Sequence, residues 1–220
     1  MELVLFDLDN TLLSGDSDYE WAQFLIEEGV LERDRYETEN RRFYELYKVG
    51  GLDIHEFLRF QLAPLARYPR EQLDLWHAKF MERKIRPMIR AKGVELVQRH
   101  QREGALCAII TSTNAFVTAP IARAFGVAHL LATEIEERNG RYTGRPQGTP
   151  CFREGKIVRL DAWLRDQGRG LGSFSASWFY SDSHNDLPLL ERVTRPVAVD
   201  PDETLERRAR ERGWDVISLA

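Results

Sequence analysis

Asp7 and Asp9 stand one residue apart at the end of an apolar run, Leu3-Val4-Leu5-Phe6, and a second apolar run, Trp178-Phe179-Tyr180-Ser181, leads into Asp182 and Asp186. Side chains at i and i+2 of an extended segment point the same way, so Asp7 and Asp9 converge just beyond the carboxyl end of a strand. Two anions in one small volume call for a cation. Hard divalent ions such as magnesium take oxygen ligands and keep several waters, and Asp7, Asp9, Asp182 and Asp186 together supply such a site. An Asx-rich turn explains either pair alone; its recurrence at two strand ends favours chemistry.

Thr111-Ser112-Thr113-Asn114 closes another apolar run, just ahead of a helical pattern near Phe116. A hydroxyl and free amides there suit a phosphate oxygen, although Ser, Thr and Asn are equally ordinary helix N-caps. Lys156 opens a further helix, where a cation opposes the helix dipole. A nearby anion would rationalise it; a plain surface lysine is the alternative.

These groups need a scaffold that brings distant segments to one edge. Short apolar runs alternating with amphipathic helical patterns predict an α/β fold, a Rossmann-like, mostly parallel sheet with helices on both faces. Ligands bind such sheets at the strands' carboxyl ends. Strands are expected over Leu3–Leu8, Leu106–Thr111, Trp178–Ser181 and Pro196–Val199, with a weaker one near Val216–Leu219. Helices are expected over Gly93–Glu103, Phe116–Phe125, Lys156–Asp166, Asp186–Arg192 and Asp202–Arg212. Asn139-Gly140, between Ala132–Arg138 and Arg141–Thr143, marks a two-residue hairpin turn.

The alternation breaks between about Gly15 and Arg86, which show helical periodicity without a strand and hold about half of the aromatics. This predicts an all-α cap, residues 15–86, inserted into a core made of 1–14 and 87–220. Within it, Trp21, Phe24 and Leu25, then Phe43, Leu46 and Tyr47, fall on stripes facing a small core of their own, with a few aromatics left to line a pocket against the sheet. The glycine-rich stretch Gly168-Arg169-Gly170-Leu171-Gly172 lacks the strand-to-helix context of a phosphate loop and is expected to be a connection.

Composition narrows the function classes. The chain of 220 residues, 43% of them apolar, suffices for one core plus an insertion. A net charge of −4 with interspersed signs argues against a nucleic-acid partner, which needs a basic stripe. No run approaches the roughly 18 apolar residues of a membrane span, and the first residues lack the basic start of an export signal. The expectation is therefore a cytoplasmic protein with neither nucleic-acid nor membrane partners. Cys107 and Cys151 make no metal spacing and no disulfide framework.

Over nearly its whole length the sequence resembles the haloacid dehalogenase superfamily of phosphatases, in the phosphoserine-phosphatase-like branch with a helical cap after the first motif. Asp7-Leu8-Asp9-Asn10-Thr11, Thr111, Lys156 and Ser181-Asp182-Ser183-His184-Asn185-Asp186 carry the resemblance. It implies a phosphomonoester hydrolase with Asp7 as nucleophile, forming an aspartyl-phosphate, and Asp9 as acid and base. It implies Mg2+ on Asp7, the Asp9 backbone carbonyl and Asp182, with Asp186 direct or through water. Thr111, Ser112 and Lys156 would hold phosphoryl oxygens, and Asn185 would orient the Asp182 loop. His184 is expected to face solvent or pack locally.

For the substrate, a small phosphate ester, the resemblance implies that Asp16 contacts an amine; capping of a helix from Asp18 is the alternative. Gln61 falls where phosphoserine phosphatases carry a carboxylate-binding arginine, with Arg59 two residues away. An amino phosphate without a carboxylate fits, histidinol phosphate leading and phosphoserine behind it. A phospho-accepting signalling module is the competing class, disfavoured by Asp9 and by the cap. Monomer and homodimer both stay open.

Overall fold

Every residue of Leu3–Phe6 (β1) is buried, and alternate side chains feed different cores: Val4 and Phe6 join one, Leu3 and Leu5 the other. That is what a period of two produces in a strand covered on both faces. A computed structural model describes all 220 residues. After β1 the chain runs through the helices Ser17–Glu27 (α1), Arg33–Lys48 (α2), Ile54–Arg67 (α3) and Arg70–Phe80 (α4). A π-helical turn, Met81–Ile85, leads into the short helix Arg86–Met88 (α5).

The alternating part follows, with Ala91–Arg102 (α6), Leu106–Asn114 (β2), Ala115–Ala124 (α7), His129–Arg138 (β3) and Arg141–Gln147 (β4). It continues through Glu154–Asp166 (α8), Ser177–Ser181 (β5), Leu187–Leu190 (α9), Arg195–Val199 (β6), Glu203–Arg212 (α10) and Asp215–Ile217 (β7). The seven strands form one sheet in the order β4-β3-β2-β1-β5-β6-β7. Every neighbouring pair is parallel except β3 with β4. The fold is therefore α/β and Rossmann-like, with β1 in the middle.

Strand order also explains where a site can form. The chain leaves β1 toward β2 and β3, then returns to the other side of β1 for β5, β6 and β7. Connections that depart in opposite directions open a crevice at the carboxyl ends of the central strands. Asp7 follows β1, Thr111 lies in β2 and Asp182 follows β5, so all three meet there.

Three expectations need correction. β3 begins at His129, and His129, Leu130 and Leu131 pair in parallel with Ala108, Ile109 and Ile110; it is a core strand before it becomes half of a hairpin. Only three residues pair before the register shifts, too short a run to stand out as a period. β2 continues past Thr111 to Asn114, because Thr133 pairs with Asn114 across that shift. The stripe at Trp21 does not face a core confined to these helices: it packs on Phe80 of α4, 5.2 Å between ring centroids, but reaches the sheet side as well, while Phe43 packs on Phe57 of α3 at 5.2 Å. Trp21 packs edge to face on Phe116 of α7, 5.5 Å between ring centroids, and both belong to a cluster of 32 buried residues that includes Phe6 and Ile109 of the sheet. The hairpin turn is as expected, with Asn139 at φ 52° and Gly140 at φ 73°, the positive values that a type I′ turn requires.

The two passages between helices and sheet run side by side. Leu13 and Ile89 form an antiparallel bridge, and the Ser14 N–H donates to Met88 O at 2.9 Å. Residues between these passages are helical throughout apart from short connections. No helix is long and apolar enough to cross a membrane.

Candidate active site

Asp7 lies at the end of β1 with both carboxylate oxygens engaged. Lys156 Nζ donates to Oδ1 at 2.8 Å, and the Thr11 hydroxyl lies 3.2 Å from Oδ2. Lys156 is 1% exposed and also donates to Asp186 Oδ2 at 2.7 Å. Burial opposes its charge, but Asp186 and Asp7 outweigh that cost and hold the amine protonated above its usual range. The surface-lysine alternative is thereby excluded. Backbone contact puts the amine there: a Cβ on Gly155 would lie 2.0 Å from Pro150 O, so only glycine lets the first turn of α8 approach this closely. Ser181 donates to the same Asp186 oxygen at 2.7 Å.

Asp182 shares the Thr11 hydroxyl, 3.0 Å from Oδ1, while its own N–H donates to Thr11 Oγ1 at 3.1 Å. A hydroxyl carries one proton, so Thr11 serves Asp7 or Asp182 but not both. Burial raises the carboxyl of Asp7 to about 7 despite the lowering influence of Lys156, and burial with the Asp7 charge raises that of Asp182 well above its ordinary range. One lysine thus bonds two of these three carboxylates. The donor set calls for a further cation, and Mg2+, which needs only one or two carboxylates beside waters and substrate phosphate, fits Asp7 and Asp182. No three carboxylates converge into a ready-made cage, since Asp186 is turned onto Lys156.

Asp9 is held separately. Its Oδ1 accepts the Ser17 N–H at 2.7 Å and its Oδ2 accepts the Thr113 hydroxyl at 2.8 Å. Burial pushes its carboxyl up to about 6, with Asp16 adding to the rise and the hydrogen bonds opposing it. Thr111 Oγ1 stands 3.5 Å from Asp9 Oδ2 and accepts the Thr113 N–H at 3.2 Å. Thr11 and Thr113 carried no assigned role in the sequence. Thr113 was recoverable: it lies at i+2 from Thr111, on the same side of an extended segment. Asn114 caps α7, accepting the Val117 N–H at 3.1 Å.

A cavity of about 980 Å3 connects these groups with the helices above, lined by Asp7, Asp9, Thr111, Ser112 and Lys156 on the sheet side. Asp16 lines it too, and its Oδ1 caps α1 by accepting the Asp18 and Tyr19 N–H groups at 2.8 and 2.9 Å. Gln61 lines the cavity, whereas Arg59 is exposed and does not. Two residues turn a helix through about 200°, so α3 cannot present both to one pocket. That removes Arg59 as a contact.

The loop after β5 ties the helices to the sheet. Asn185 Oδ1 accepts from Arg153 Nε at 2.9 Å, and Arg153 Nη2 donates to Gly50 O at 2.5 Å. Asn185 Nδ2 donates to Tyr47 O at 3.3 Å. The Tyr47 hydroxyl donates to Ser183 Oγ at 2.7 Å. His184 is fixed locally by Asp202, whose Oδ2 lies 2.8 Å from Nδ1 and accepts its N–H at 2.7 Å.

Comparison with known proteins gives the family. Residues 4–191 match the family described as haloacid dehalogenase-like hydrolase. The chain is 48% identical to a histidinol-phosphatase from Neisseria meningitidis, over 99% of this chain and 98% of that protein. It superposes with a TM-score of 0.94 on a crystal structure of a Bordetella pertussis protein of unknown function, at 50% identity over 100% of this chain and 99% of the other. A phosphoserine phosphatase holding an analogue of its phospho-aspartyl intermediate shares the fold, with a TM-score of 0.70 at 19% identity, covering 99% of this chain and 93% of that one. The chain belongs to the haloacid dehalogenase-like hydrolases and is a phosphatase of that family.

Proposed function

We propose that this phosphatase hydrolyses a small amino-bearing phosphomonoester, histidinol phosphate foremost, through an aspartyl-phosphate on Asp7 with Mg2+ as cofactor. The observation that carries the reading is the division between two carboxylates two residues apart. Asp7 accepts from a buried lysine, while Asp9 accepts instead from the Ser17 N–H and the Thr113 hydroxyl. A carboxylate held beside a lysine that can also meet phosphate oxygens suits a nucleophile, and a carboxylate held by separate hydroxyl and amide donors suits proton transfer.

In the first step an Asp7 oxygen bonds to phosphorus, the ester P–O bond breaks, and Asp9 gives its proton to the departing alcohol oxygen. In the second, Asp9 takes a proton from water as that oxygen attacks phosphorus. The bond to Asp7 breaks, inorganic phosphate leaves, and Asp9 is protonated again. Lys156, Thr111 and Ser112 would hold the transferring oxygens. Asp7, the Asp9 carbonyl and Asp182 would bind Mg2+, with Asp186 alongside. When bound, the ion neutralises charge shared by nucleophile and phosphate, a repulsion of about 4 kcal/mol for unit charges at 4 Å and an effective dielectric of 20.

The division into a core of residues 1–14 and 87–220 and a cap of 15–86 belongs to the same proposal, as does a cytoplasmic setting. The paired passages at Leu13 and Ile89 support the boundary. The relative named histidinol-phosphatase supports the substrate, and so does the lining: Arg41, itself exposed, is the one arginine on the cavity wall, leaving no buried arginine for a carboxylate. The test is phosphate release with Mg2+ and with chelator, comparing kcat/KM for histidinol phosphate, phosphoserine and an aryl phosphate. Preference for phosphoserine would overturn the substrate, and full activity under chelation would overturn the cofactor.

A further inference from the structure

The turn between Asp182 and Asp186 hangs on Ser183. The Asn185 N–H donates to Ser183 Oγ at 3.2 Å and the Asp186 N–H to Ser183 O at 3.0 Å. The preceding N–H groups are held elsewhere, those of Asp182, Ser183 and His184 by Thr11, Ser181 and Asp202. Ser183 Oγ accepts one further donor, the Tyr47 hydroxyl from α2 at 2.7 Å. Asn185 Nδ2 donates to Tyr47 O at 3.3 Å. One residue at the end of α2 therefore meets this turn with both its side chain and its backbone.

Tyr47 also stands close to the acids. It lines the cavity together with Asp7, Asp182, Ser183 and Asp186. Burial, with the charges of Asp182, Asp186 and Asp7, raises its hydroxyl well above the usual range, so the phenol keeps the proton that it shares with Ser183. Its ring lies 6.3 Å from that of Phe152, a contact that does not involve the hydroxyl.

We propose that Tyr47 is a positioning residue for the metal site: by holding Ser183 it fixes the turn that carries Asp182 and Asp186, so that Mg2+ binds more tightly when the end of α2 is seated on the loop after β5. The inference rests on the Mg2+ reading above and deepens it. Mg2+ demands near-ideal octahedral geometry. Its affinity therefore responds to small displacements of the carboxylates, and groups outside the ligand shell set their placement. Linkage makes the coupling reciprocal: the factor that the seated helix adds to Mg2+ affinity is the factor that Mg2+ adds to the seating of the helix.

The experiment titrates substrate-free protein with Mg2+ by calorimetry, in the wild type, Tyr47→Phe, Ser183→Ala and the double variant. Tyr47→Phe keeps the ring and should raise the Mg2+ Kd by about 2- to 10-fold, the range of one hydrogen bond. It should add nothing further in the Ser183→Ala background, where that bond is already gone. Amide exchange over Tyr47–Gly51 should slow on adding Mg2+ in the wild type and not in Tyr47→Phe, a comparison that stands even if Ser183→Ala fails to fold. An unchanged Kd in Tyr47→Phe, losses that add in the double variant, or exchange indifferent to Mg2+ overturns the positioning role and leaves the cofactor reading standing. A wild type that takes up no Mg2+ overturns the cofactor reading and this inference with it.

Discussion

Lys156 Nζ lies 2.8 Å from Asp7 and 2.7 Å from Asp186, so one buried amine from α8 binds together the ends of β1 and β5. Removing one partner of a buried ion pair costs about 3–5 kcal/mol, because the other charge is left uncompensated. Lys156→Met should therefore destabilise as well as inactivate. At 2–4 °C per kcal/mol for a chain of this size, Tm should fall by roughly 6–20 °C, measured by calorimetry. An unchanged Tm would mean that the lysine is dispensable to the fold.

The raised carboxyl of Asp7 has a consequence for pH. Its acid constant moves from 3.8 to about 7 on folding, so between those values the folded protein binds the proton that the unfolded chain has released. Stability is thus fully present below pH 4 for this group and is lost as pH rises toward 7; Asp9, at about 6, acts in the same direction. Metal-free protein should melt at lower temperature at pH 8 than at pH 5. Mg2+ should raise Tm more at pH 8, where it meets ionised carboxylates, and Asp7→Asn should flatten the pH dependence.

Asp9→Asn separates the two chemical steps. The leaving alcohol of an alkyl phosphate needs a proton, so its turnover should fall by about 10²–10⁴-fold. Nitrophenolate leaves without one. With p-nitrophenyl phosphate, stopped-flow absorbance should show a burst of one equivalent followed by slow release as the phosphoenzyme waits for an activated water. Thr113→Val removes the hydrogen bond that favours ionised Asp9 and should shift the high-pH limb of kcat/KM upward.

Arg153 bridges the helices and the sheet by donating to Gly50 O and Asn185 Oδ1. Arg153→Met should loosen the closure above the site and raise KM by about tenfold, the effect of losing one or two such bonds. Amide exchange in the loop after α2 should quicken while the sheet stays protected. Equal quickening in β1 and β5 would point to global destabilisation instead.

The acidic strand ends were legible in the sequence because two simple signals coincide there: a continuous apolar run through Leu3–Phe6 and carboxylates at i and i+2 beyond it. The burial of Lys156 was not, since it depends on how closely Gly155 passes Pro150, a tertiary contact without local signature. Arg59 and Gln61 lie two residues apart and the resemblance alone does not separate them, yet helical phase does once α3 is placed. Trp21 and Phe24 showed a helical stripe without showing that its partners include Phe116 of α7 as well as Phe80 of α4.

The nucleophile is the claim on which the remainder depends. Enzyme mixed with Mg2+ and histidinol phosphate, quenched in acid within the first turnover and reduced with borohydride, should yield homoserine at residue 7 by peptide mass spectrometry, and Asp7→Asn should yield none. Turnover without modification at residue 7, or substantial activity in Asp7→Asn, would contradict the account.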